Sequence, residues 1–161
     1  MFQDWIDAVR RNHGVEHATV AVLFSRTGPQ RIAGRAARDG FFILGAVDDD
    51  QLLSCAREAL GRMQRGEGDL AVSPHCGTNI AVTAGLAALA SMSAFTKQPV
   101  RPGRERFSEA FTGSILAVVA AQPVGRLVQR YLTTRADVQG MDIVEVKTYL
   151  PGIRKVVTRG A

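Results

Sequence analysis

The chain has 161 residues, a formal net charge of +5 and two cysteines. That length holds one ordinary domain or a small domain plus a membrane element. The positive balance suits nucleic acid or an anionic membrane surface. The arginines are spread out and not interleaved with aromatic residues, which argues against a single-strand nucleic-acid binder and for the membrane surface. Cys55 and Cys76 give no disulfide framework, which favours a reducing compartment.

Phe2, Trp5, Ile6 and Val9 recur at helical spacing, with Asp4, Asp7, Arg10 and Arg11 opposite them, and predict a short amphipathic helix over residues 2–11. Its acid falls early and no basic-then-apolar pattern precedes it, so no signal peptide is expected. Asn12 is placed as the cap of a second helix that runs to about Arg26 and is stopped by Thr27-Gly28-Pro29. Residues 30–47 read as a β-hairpin, with Arg38-Asp39-Gly40 as its turn and Phe41 to Leu44 as a buried strand. Asp48-Asp49-Asp50 precedes Leu52, Leu53, Ala56, Leu60 and Met63, so the three acids cap a helix ending near Arg65 and are not read as a metal site. Leu70-Ala71-Val72 is assigned as a short strand before Ser73-Pro74-His75-Cys76-Gly77.

The composition then changes. No Asp, Glu, Lys or Arg occurs from Leu70 to Thr96, and a second uncharged run extends from Ala110 to Gly125. Small residues recur every fourth position, as Gly77, Ala81, Gly85 and as Gly113, Ala117, Ala121, Gly125, a pattern that lets helices approach closely in lipid. Residues 77–130 are therefore expected to be a transmembrane helical hairpin, with Pro123 tolerated in lipid. The competing reading is a soluble, alanine-rich helical hairpin buried in a dimer. The loop carries Lys97, Arg101, Arg104 and Arg106, while the opposite flanks carry Arg57, Arg62, Arg65, Arg126, Arg130 and Arg135. That bias puts the remaining residues on the cytoplasmic side of an inner membrane. Residues 142–149 alternate as a strand, Pro151-Gly152 turns, and residues 153–158 return. The fold expected is α+β. It comprises an N-terminal segment over 1–76, the inserted hairpin over 77–130, and a C-terminal β-hairpin over 131–161 that packs on the N-terminal segment and joins its sheet.

All three histidines fall in two clusters. His13-Gly14-Val15-Glu16-His17 has the inverted zinc spacing H-x-x-E-H, and His75 adjoins Cys76. On a helix, positions i and i+4 share a face, so His13 and His17 reach one metal ion with Glu16 near a metal-bound water. His75 and Cys76 are the candidates to complete the shell. Three protein ligands leave an open position and suit a zinc hydrolase with Glu16 as general base, whereas four make the site structural. A bland alternative has one histidine satisfied in the fold and the other facing solvent. A further one has the histidines ligating a non-covalent haem or chlorin, since no C-x-x-C-H motif is present.

With His-Gly-Val-Glu-His-Ala-Thr, Cys-Gly-Thr-Asn and Pro-Val-Gly, the chain resembles an uncharacterised family of small bacterial membrane proteins, over nearly its whole length. The matching positions are His13, Glu16, His17, Ala18, Thr19, Cys76, Gly77, Thr78, Asn79, Pro123 and Gly125, followed by Gln129 and Thr133-Thr134. The resemblance implies architecture and no activity. The local H-x-x-E-H spacing is similar to that of inverted-motif zinc peptidases, but their third, acidic ligand has no counterpart here. Function is thus expected to be that of a small integral membrane protein with a zinc site at the membrane surface. It would be either a metal-dependent hydrolase or a non-catalytic subunit of a membrane complex, in contact with lipid and with a second copy or other subunits, and not with nucleic acid.

Overall fold

The computed structural model describes residues 2–96 and 102–161. Lys97 and Arg101, two of the four loop charges counted above, lie outside them. The fold is α+β, and the chain divides into two compact units, residues 1–73 with 130–161 and residues 74–129.

The first unit packs two helices on a four-stranded antiparallel sheet. Helix α1 spans Phe2–Thr27 as one continuous rod, so the expected break at Asn12 does not occur. The reason is that Asn12 works sideways rather than along the axis. It is fully buried, its amide donates to the carbonyls of Ala37 (3.0 Å) and Arg38 (2.9 Å), and it accepts from Thr158 Oγ1 (2.7 Å). Asn12, Val15, Thr19, Val22 and Leu23 recur at three- and four-residue spacing and are all buried, giving α1 one inward stripe. The helix stops where Gly28, at φ 77°, donates to the carbonyl of Phe24 at 2.9 Å and Pro29 cannot continue it.

Strands β1 (Ala33–Ala37) and β2 (Gly40–Leu44) form the first hairpin, and β3 (Asp142–Leu150) and β4 (Ile153–Arg159) the second. The strand order is β1-β2-β4-β3, with β4 beside β2 and Phe41 opposite Val156. Phe41 and Ile43 face the helices and are fully buried, while Phe42 on the other face meets Tyr149 and lies under Lys155 Nζ at 5.3 Å. Helix α2 spans Asp49–Gln64, and Asp48 caps it by accepting from the N–H groups of Asp50 and Gln51. Leu52, Cys55, Ala56 and Leu60 close the core against Val15, Val22, Phe41 and Ile143. Each large side chain so buried contributes roughly 1.5–3 kcal/mol.

Residues 68–71 form a short 3-10 turn instead of the strand expected at Leu70-Ala71-Val72. Three apolar residues there are too few to distinguish the two, and only Ala71 of them is buried.

The second unit is a pair of packed helices, α3 (Gly77–Thr96) and α4 (Gly103–Val128). At 1.5 Å per residue they measure about 30 and 39 Å, and both are long and apolar enough to cross a membrane. Ile80, Leu89, Met92, Phe111, Leu116 and Val119 are exposed on the pair. Ser91 and Ser114 hydrogen-bond each other across it at 2.7 Å. Of the two small-residue ridges, the one on α4 does the packing. Ala121 is fully buried, and a Cβ on Gly125 would overlap Asn79 Oδ1. The α3 ridge faces outward, because Ala81 and Gly85 are exposed and Cβ atoms built on Gly77 and Gly85 meet nothing within 4 Å. Helix α4 runs through Pro123, then widens into a π-helical turn over Gln129–Thr133.

Candidate metal centre

The H-x-x-E-H residues lie in the middle of α1, where the helix passes the 3-10 turn and the segment after the π-helical turn. His17 is buried and its Nδ1 is 2.8 Å from the carbonyl oxygen of Ala71. His13 is half-buried and its Nδ1 is 2.9 Å from the carbonyl oxygen of Thr133. A carbonyl only accepts, so in each ring Nδ1 carries the proton and donates it. In the neutral ring the lone pair then sits on Nε2, the tautomer that presents Nε2 to a metal. The two rings meet edge to face with centroids 4.4 Å apart. A ring nitrogen of one lies within 4.8 Å of a ring nitrogen of the other. Two ligand atoms on a tetrahedral zinc at about 2.05 Å are roughly 3.4 Å apart, so a small rotamer adjustment brings the pair to ligand spacing.

Gly14, inside the motif, makes this possible. A Cβ there would come within 2.6 Å of the carbonyl oxygen of Arg135 and 3.2 Å of Ala71 Cβ. Both carbonyl-bearing segments approach α1 over this glycine, and one is tied down where Arg135 N–H donates to the carbonyl of Arg10 at 3.0 Å. Arg10 adds a second tie, its guanidinium donating to the carbonyl of Tyr131 at 2.7 Å. Glu16 is buried on the sheet side. Its carboxylate lies against the backbone of Gly34 in β1, where a Cβ would overlap Oε1.

The other two candidates belong to the second unit. His75 is exposed. Cys76 is buried and immediately precedes α3, its carbonyl accepting from the N–H groups of Asn79 (2.9 Å) and Ile80 (3.3 Å). A helix N-terminus is a favourable place for an anionic ligand. Cys55 stands apart in the core of the first unit, and burial pushes its thiol above the ordinary range.

The two histidines are legible in the sequence, and what orients them is not. The carbonyls of Ala71 and Thr133 carry no side-chain signature, but Gly14 between the histidines was the available sign of a close backbone approach.

A family model described as a domain of unknown function, DUF6391, matches residues 8–146. An uncharacterized protein of Picosynechococcus sp. is 32% identical over 135 residues, which are 78% of this chain and 65% of the relative. The chain thus spans about two thirds of that relative's length. No solved structure matches. The chain belongs to the DUF6391 family.

Proposed function

We propose that this family member is a small integral membrane protein that holds one zinc ion through His13, His17 and Cys76. The observation that carries the reading is the pair of carbonyl-anchored rings. Metal-ligating histidines almost always donate their second nitrogen to a carbonyl, carboxylate or water, and here both donate to backbone carbonyls from segments distant in sequence. Cys76 follows Ala71, which anchors His17, by five residues, so it stands close along the chain to that anchor. Two imidazoles and a thiolate are a zinc donor set.

Three protein donors leave a fourth position for water, which zinc would render acidic enough to act as a nucleophile near neutral pH. The exposure of His75 favours this three-donor set and with it a hydrolytic activity. Glu16 is the carboxylate proposed to accept the proton, and to do so it would turn from its place against Gly34 in β1 toward the ion. The non-catalytic reading has His75 as a fourth ligand, closing the shell. The apolar outer faces of α3 and α4 support residence in a membrane, and the outward ridge Gly77, Ala81, Gly85 supports packing against a second copy or another subunit. The arginine bias supports an inner membrane with the first unit in the cytoplasm.

Elemental analysis of detergent-purified protein tests the site. About one zinc per chain is expected, lost in His13→Ala, His17→Ala and Cys76→Ser and kept in His75→Ala. Zinc kept in Cys76→Ser, or lost only in His75→Ala, would reject this donor set. A Glu16→Gln variant that keeps zinc but loses hydrolysis of an ester or peptide probe would support the catalytic reading.

A further inference from the structure

The first unit carries a cleft of about 260 Å³ between residues 66–72 and residues 130–136. That is just below the roughly 300–1,000 Å³ of drug-sized pockets, so it suits a small polar group. Its lining is mostly backbone and small side chains: Gly66, Gly68, Ala71 and Ala136, with the hydroxyl-bearing Thr134. Two charges stand in it, Arg130 and Asp69. Their ion pair is loose, at 3.9 Å, with the side chains 66% and 98% exposed, so it contributes little and is easily exchanged. Other arginines of this region are already engaged: Arg10 on the carbonyls of Tyr131 and Thr134, and Arg135 on Asp7 at 2.6 Å.

The cleft walls are also the two chain crossings into the hairpin. Val72 is followed by Ser73 and then the second unit, and Arg130 is the first residue after it. A hairpin that crosses a bilayer therefore tethers both walls within a few residues of the membrane surface. Tyr131 and Leu132, 68% and 67% exposed, follow Arg130 and have the amphipathic and apolar character of interfacial residues.

We infer that this cleft takes a phosphate group, presented by an anionic phospholipid whose headgroup Arg130 clasps in exchange for Asp69. A guanidinium is the side chain best matched to phosphate, through paired charge-assisted hydrogen bonds. The inference rests on the membrane reading of α3 and α4 and is independent of zinc.

Native mass spectrometry of the full-length protein in detergent, titrated with phosphatidylglycerol or phosphatidylcholine, tests it. Carbonate extraction of membranes checks the spanning reading separately. Retention of one phosphatidylglycerol in preference to phosphatidylcholine is expected. Arg130→Ala should weaken it about tenfold, and Asp69→Asn should strengthen it. Arg104→Ala removes the same charge at the far end of α4 and should leave it unchanged. Equal losses in Arg104→Ala and Arg130→Ala would overturn the site in favour of a bulk charge effect. Displacement by equimolar glycerol phosphate would uphold phosphate recognition and overturn its lipid source. A chain released by carbonate that still binds glycerol phosphate through Arg130 would do the same and refute the spanning reading.

Discussion

Gly14 and Gly61 are both interior helix glycines, and alanine should act on them in opposite directions. In an unobstructed helix, Gly to Ala gains about 1 kcal/mol. At Gly61 the new Cβ meets only the mobile end of Arg65, at 3.3 Å, so most of that gain should survive. At Gly14 it falls 2.6 Å from the carbonyl oxygen of Arg135, well inside the 3.0 Å that real Cβ atoms respect. Neither neighbour yields easily, because Arg135 is hydrogen-bonded to Arg10 and Ala71 to His17, both on α1. Overpacking of this kind costs about 1–3 kcal/mol and exceeds the propensity gain. Gly61→Ala should therefore be stabilised by about 0.5–1 kcal/mol, and Gly14→Ala destabilised by about 0.5–2 kcal/mol. At roughly 2–4 °C per kcal/mol for a chain of this size, their melting temperatures should differ by about 2–12 °C. The assay is thermal unfolding of the detergent-purified protein, followed through Trp5, the single tryptophan, which lies on α1. Equal stabilisation of both variants would refute the packing argument and with it the reason for a glycine between the histidines.

Asn12→Ala leaves the buried Thr158 Oγ1 and two half-buried carbonyls without their partner, and at about 1–3 kcal/mol for a buried group left unsatisfied it should lower the denaturation midpoint. A midpoint within error of wild type would show that water replaces all three bonds. The hydrogen bond from Lys155 holds the Asp39 carboxyl below its ordinary 3.8, so this ion pair's stabilisation is complete above that value and fades as pH falls through the lower folded value. Asp39→Asn should thus flatten the loss of stability below about pH 4. An unchanged acid branch would remove the pair from the stability account.

Much of the architecture is written in local signals. The charge-free runs mark α3 and α4, Asp48 marks the start of α2, and Pro151-Gly152 separates two alternating stretches that are β3 and β4. What escaped depends on contacts across long sequence separations. Asn12 has the side chain of a helix cap, and only the sheet packed beside it turns that side chain to Ala37, Arg38 and Thr158. The small-residue ridges look alike in sequence, yet one packs and one faces out, because period alone does not say which side of a helix meets its neighbour. In the candidate metal centre, His13 and His17 were legible from spacing, whereas their carbonyl anchors come from residues 71 and 133.

The proposed donor set is tested most directly by zinc-edge X-ray absorption on the purified, zinc-loaded chain. One sulfur at about 2.3 Å and two imidazole nitrogens near 2.0–2.1 Å are expected, with one light-atom ligand completing four. A shell without sulfur, or one with sulfur but without imidazole scattering, would contradict it.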